Sequence, residues 1–91
     1  MLPVNTNRPL EDTIDAMRSD DYKDRFIAEY YQVRIRYERL KKMVENWDSG
    51  NLTFQPTCPR SIYDMQLNAM KDYIALLEAR AAIEEVNLDS L

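Results

Sequence analysis

Between Tyr22 and Trp47 an apolar residue returns at every third or fourth position: Tyr22, Phe26, Tyr30, Val33, Tyr37, Leu40, Val44 and Trp47 stand 4, 4, 3, 4, 3, 4 and 3 apart. That near-heptad rhythm follows one face of an α-helix and does not fit the two-residue alternation of a strand. It predicts a helix over residues 20–47, roughly 40 Å long at ~1.5 Å per residue, with one seam turned to a partner helix. Tyr63, Leu67, Met70, Ile74, Leu77 and Ala81 repeat the rhythm at 4, 3, 4, 3 and 4, which predicts a second helix over 60–85. Two matched seams joined by a single loop pack antiparallel.

The signals between and around the seams agree with that reading. Ser19, Asp20 and Asp21 supply a capping hydroxyl and carboxylates at the positive end of the first long helix. Asp48-Ser49-Gly50-Asn51 ends it, with Gly50, the chain's one glycine, as a left-handed cap. The connection, 48–59, is long for a helical hairpin, and Leu52 and Phe54 within it are expected to plug the hairpin's open end. At the start of the second helix two signals compete, Pro59 as its first residue and Ser61 with Asp64 as a capping box. Upstream, residues 1–8 read as an extended arm, and Pro9 opens a short helix over 9–17 whose Leu10, Ile14 and Met17 form one stripe. Two turns are unstable alone, so this helix must dock.

Residues 9–88 thus form one helical-hairpin domain, with 89–91 as a tail. Ile27, Tyr31 and Ile35 lie beside the first seam and make the apolar face wider than one partner helix covers. Ile83, Val86 and Leu88 carry a weaker pattern into the tail, which is expected to fray or to dock on a neighbouring chain. A 91-residue chain also has a thin core of its own. The expected fold is all-α: a short N-terminal helix plus a long antiparallel helical hairpin, assembled as a homo-oligomeric bundle.

Charge is unevenly distributed. The net −4 divides into +3 over residues 22–47, −3 over each of 1–21 and 60–91, and −1 over 48–59. Neighbouring helices are therefore complementary, and the acidic balance argues against general DNA binding, which needs an extended positive face. Cys58 is the only cysteine and there is no histidine, so neither a disulfide nor a zinc site is expected. No apolar run is long enough to span a membrane, and the first residues lack the pattern of a signal peptide, which leads to the expectation of a cytoplasmic protein. No cofactor is implied. Without a histidine base, a glycine-rich phosphate loop or a nucleophile elbow, the chain is not expected to be an enzyme.

What stands out is Val33 to Lys42, where Arg34, Arg36, Arg39, Lys41 and Lys42 place five cations within nine residues. Such a run can hold phosphates through forked guanidinium contacts, or it can simply suit the negative end of a helix and pair with Glu38, Glu45 or the acidic second helix. The six tyrosines invite a similar choice. Tyr30, Tyr31 and Tyr73 beside arginines could stack bases, or they could be core with hydroxyls at the rim. Gln66, Tyr73 and Arg80 follow one another at intervals of seven along the second helix, a row suited to an oligomer interface or to a pocket between protomers.

Three segments carry a resemblance: the stretch Asp12 to Gln32, with M-x-S-x-D-Y-K-x-R-F-x-A-E-Y-x-Q from Met17; L-T-F-x-P-T-C-P from Leu52 to Pro59; and Q-x-x-x-M-x-x-Y-x-x-x-L-E-x-R-A-x-I-E from Gln66 to Glu84. Over residues 10–88 the chain resembles a family of small helical proteins encoded by bacteriophages of gut bacteria, crAss-like phages among them, a resemblance that implies no activity. More distantly, its layout, with I-D-x-M at Ile14 to Met17, is similar to the helical-hairpin phage sponges that sequester the signals of CBASS and Thoeris immunity between protomers; their loop motifs are absent here. That likeness implies an anti-defence sponge for a cyclic nucleotide, with Arg34, Arg36, Arg39, Lys41 and Arg80 on phosphates and Tyr30, Tyr31 or Tyr73 on bases. The alternatives are a protein-binding inhibitor of a host defence effector such as a CRISPR nuclease, acting through acidic faces, and a structural or assembly protein of a phage.

Overall fold

The computed structural model describes residues 1–91. It is all-helical: a 3-10 turn, Leu10–Thr13, runs into α1 (Ile14–Met17), followed by α2 (Tyr22–Asp48), α3 (Arg60–Glu84) and a closing 3-10 turn, Leu88–Ser90. The two long helices make an antiparallel hairpin in a rod of 43 × 24 × 21 Å. No helix is long and apolar enough to cross a membrane.

α2 is the centre of this arrangement, because two of its flanks are apolar and both are covered. Phe26, Tyr30, Tyr37 and Val44 of the seam are buried, as are Ile74, Leu77 and Ala81 of α3. Ile27, Tyr31 and Ile35 are buried too. The 3-10 turn, α1 and the closing turn all lie against α2, and Leu88, Val86, Val4 and Leu10 join its core cluster. The extra width of apolar surface is thus covered by the chain's own two ends, where the sequence suggested a neighbouring copy. Val86 and Leu88 of the tail dock on their own chain, while Ile83 is left 80% exposed.

The short N-terminal helix docks through a polar pin as well as apolar contact. The Thr13 hydroxyl, fully buried, donates to the Leu10 carbonyl at 2.7 Å and accepts from Gln32 of α2 at 3.0 Å. A buried hydroxyl with both partners in place adds geometry at little desolvation penalty.

The helix ends differ in detail from the sequence signals. Asp21 rather than Ser19 caps α2, its carboxylate accepting from the Lys23 N–H at 2.9 Å. Ser19 instead donates to Asp24 at 2.7 Å. Pro59 sits in extended backbone just ahead of α3 without a side-chain cap. Asp64 pairs with Arg60 at 2.5 Å, so the capping box does not form. Arg60 also grips both oxygens of Asp48, at 3.1 and 2.9 Å, tying the loop's two ends together. The open end of the hairpin is closed by Trp47 edge-on against Tyr63, ring centroids 6.0 Å apart. Leu52 is half-buried, but Phe54 is 58% exposed and plugs nothing.

Gly50 takes the left-handed conformation, φ 77°, and a β-carbon added there would meet no atom within 4 Å. Gly50→Ala therefore tests backbone strain alone. It should cost about 1 kcal/mol, read as a melting midpoint roughly 4–8 °C lower.

Candidate functional site

The second half of α2 turns Glu38, Arg39, Lys41, Lys42 and Glu45 toward the N-terminal arm, which crosses it with Thr6, Asn7, Arg8 and Pro9. Between them lies an open cleft of about 690 Å³ lined, Pro9 apart, by polar and charged residues. Four cations against two carboxylates give it a net positive character in an acidic chain. Arg39, Lys41 and Lys42 enter no ion pair, in contrast to Arg8, Arg34, Arg60 and Arg80. Their charges are free for an anion, which three converging donors can hold by charge-assisted hydrogen bonds.

Arg8 is fixed from three directions. Its Nε donates to Asp12 at 2.9 Å, its Nη1 lies 3.5 Å from the Leu91 carbonyl, and its guanidinium stands 5.8 Å from the centre of the Tyr31 ring. Arg39 Nη2 lies 3.5 Å from the Arg8 carbonyl, so the two walls of the cleft meet there.

A second constellation has a buried centre, Arg34 and Tyr30. Arg34, 5% exposed, donates from Nη1 to the Tyr30 hydroxyl at 2.7 Å and to the Leu2 carbonyl at 2.8 Å. The Tyr30 hydroxyl donates to Glu78 at 2.5 Å, and the Leu2 N–H donates to the same carboxylate oxygen at 2.9 Å. Arg34 also faces Glu78 at 3.7 Å and Glu38 at 3.8 Å, while its buried Nε has no partner. Both hydrogen-bonding groups of the Leu2 residue are thus held by side chains from α2 and α3.

The electrostatics of this cluster follow from burial and these bonds. Burial pushes the Tyr30 hydroxyl well above its ordinary pKa, and donation to Glu78 adds to the rise. Burial alone would also raise Glu78, but the bonds from Tyr30 and Leu2, with the Arg34 charge, outweigh it and hold that carboxyl below the usual range. Burial, then the Asp89 charge, raises Tyr31.

The residues singled out in the sequence therefore separate into groups. Arg39 and Lys41 come together in the cleft. Arg34 and Tyr30 join in the buried cluster, and Tyr31 lies edge-on to Tyr30 under Arg8. Tyr73 and Arg80 belong to α3: the Tyr73 hydroxyl bonds to Glu29, and Arg80 stacks 4.7 Å from the centre of the Phe26 ring while pairing with Glu84 at 2.8 Å. Arg36 is exposed and lines neither constellation. The structure adds Arg8, Lys42 and Glu78. Lys42 stood within the basic run, and Glu78 held a motif position; nothing in the arm's aperiodic sequence marked Arg8. No group of three potential metal ligands is gathered anywhere.

A family model, Sequestin, matches residues 20–83, which take in all of α2, the loop and all of α3 but its last residue. No curated protein and no solved structure matches the chain.

Proposed function

The chain belongs to the Sequestin family, and from that premise we propose that it is a phage anti-defence sponge, sequestering a nucleotide-type immune signal such as a cyclic oligonucleotide without cleaving it. The family's name points to capture of a molecule rather than to catalysis. The observation that carries the ligand class is the cleft where Arg39, Lys41 and Lys42, all without ion pairs, meet Arg8. Several cations clustered on the surface of an acidic chain select a compact polyanion, and an extended nucleic acid would meet repulsion beyond the cleft.

Within this reading Arg34 and Tyr30 act through the arm. By holding Leu2 they carry the chain to Thr6–Pro9, which forms the second wall. Tyr30 and Tyr31 are buried, whereas Tyr73 is 41% exposed and is the tyrosine of the three available to stack a base. It and Arg80 lie on α3, so they would serve a pocket completed between protomers of a homo-oligomer. Arg36 would meet a ligand only from such a neighbouring copy.

The test is a thermal-shift panel of cyclic di- and trinucleotides on the whole chain. For the compound that stabilises it, Arg39→Ala should weaken binding by about 1.5–3 kcal/mol, roughly 10- to 100-fold, while helicity is unchanged. Arg39→Lys should restore part of the loss, since an ammonium keeps the charge without the fork. A panel in which nothing shifts the midpoint would move the reading to the protein-binding inhibitor of a defence effector. That alternative draws on one feature of its own, an acidic cleft of about 410 Å³ whose lining includes Asp12, Asp15 and Asp24.

A further inference from the structure

Arg34 is the one charged side chain that the fold buries, and the bonds it makes leave part of it unused. Nη1 serves both the Tyr30 hydroxyl and the Leu2 carbonyl, Nη2 stands 3.8 Å from Glu38, and Nε has no partner. Glu78 takes both of its hydrogen bonds, from Tyr30 and from the Leu2 N–H, on Oε2, so Oε1 accepts none. A buried charge with an orphaned N–H carries a desolvation penalty that its present partners leave uncompensated.

Those partners include a strap that little else holds. Met1 and Leu2 are 56% and 42% exposed, Pro3 is exposed too, and of these first residues only Val4 packs against the core. Beside Leu2 a cavity of about 300 Å³ opens onto Ala81, Ala82, Val86 and Leu88, with Glu78 in its wall.

We propose that the Arg34–Glu78 pair is a binding site for a guanine base, which the Leu2 peptide fills in the free chain and which the base takes over when the strap swings away. The pair requires a donor beside an acceptor, and the Watson–Crick edge of guanine carries O6, N1–H and the N2 amine in a row. O6 takes the place of the Leu2 carbonyl on Arg34, N1–H takes the place of the Leu2 amide on Glu78 Oε2, and the N2 amine reaches the unused Oε1. Glu78 accepts from both because its carboxyl, held below the usual range, is ionised at neutral pH. The cavity's alanines, Val86 and Leu88 give the ring an apolar surface to lie on. A peptide from another protein would offer only what Leu2 already offers, and the tethered strap outcompetes it through its effective concentration. Guanine adds a charge-assisted bond and displaces the strap. Adenine and hypoxanthine each supply two of the three bonds. The site makes no use of the cationic cleft, and Arg8 keeps its contacts with Asp12 and Leu91 when Leu2 lets go.

Guanosine, which has no phosphate, is the probe. Titrated into the whole chain and followed by NMR, it should move the amide signals of Leu2 and of Val4, whose N–H donates to the Leu2 carbonyl at 3.0 Å. Inosine, lacking the N2 amine, should bind roughly 10- to 100-fold more weakly for the one bond to a carboxylate that it loses. Leu2→Pro keeps the strap but removes the N–H that competes for Glu78, so guanosine should bind roughly 2- to 10-fold more tightly. Glu78→Gln should lose guanosine binding with its helicity unchanged. No binding at millimolar guanosine, equal binding of inosine, or weaker binding to Leu2→Pro would each overturn the proposal. Inorganic phosphate, which occupies the cationic cleft, should leave bound guanosine in place; displacement would put the base in that cleft and overturn the role of the pair. A chain that passes these tests while no cyclic nucleotide stabilises it would count against the sponge alone.

Discussion

Leu77→Ala should lower stability by about 2–5 kcal/mol, which for a chain of this size moves the melting midpoint by roughly ten degrees or more. Leu77 is 2% exposed and sits with Ile74 and Ala81 at the contact between α3 and the Phe26–Tyr37 face of α2. Few other side chains of α3 are buried, so the cavity left there removes much of what docks the helix. Asn68→Ala, at an exposed position of the same helix, should change stability by no more than about 0.5 kcal/mol. An unchanged midpoint in Leu77→Ala would show that α3 meets α2 through another face.

Arg34→Ala should cost about 3 kcal/mol or more, the scale of breaking a largely buried ion pair by removing one partner. The change strips a donor from Tyr30 and from the Leu2 carbonyl at once and leaves Glu78 without its guanidinium. The pH profile identifies the cause. Glu78 has a folded pKa below its ordinary value, so its contribution is complete above the ordinary carboxylate range and is lost as pH falls through the depressed value. Tyr30 is raised, so its contribution is complete below the ordinary tyrosine value, about 10, and is lost as pH climbs through the folded one. With Arg34 gone, burial of Glu78 meets less opposition and the acid loss should begin at higher pH. Unfolding curves in urea across the pH range provide the measurement. An Arg34→Ala protein whose stability and acid limb match wild type would mean that the cluster contributes no net stabilisation.

The hairpin was legible because its signal is periodic. Phe26, Tyr30, Tyr37 and Val44 on one helix and Ile74, Leu77 and Ala81 on the other carry a rhythm that only a helical seam explains, and Gly50 marks the stop. The width of the apolar face was legible too, but not what covers it. Ile27, Tyr31 and Ile35 present the same pattern to a second copy as to the chain's own ends, and periodicity has no information about distant segments. For the same reason the basic run could be seen in one dimension but not divided. Arg34 is drawn into the core by a tyrosine four residues before it and a carboxylate on α3, Arg36 is turned outward, and Arg39 and Lys41 share the cleft with Arg8. Arg8's position depends on the path of an arm without regular structure, held by Leu2 at one end and Asp12 at the other.

That path has a kinetic meaning. The bonds joining Leu2 to Glu78, Arg8 to Leu91 and Lys23 to Glu85 span 76, 83 and 62 residues, while α2 and α3 are joined by the single loop 49–59. Chain-closure entropy grows with the logarithm of the span, so the hairpin zips first and the two ends clasp α2 last. Segments that close last with few buried contacts open first, on the low-energy end of native fluctuations. The cationic cleft therefore has one wall of firm helix and one of clasp, and its width breathes with the arm. An anion bridging Arg39 to Arg8 binds only the clasped form, and by mass action it slows the arm's amide exchange by a factor of one plus the ratio of its free concentration to Kd.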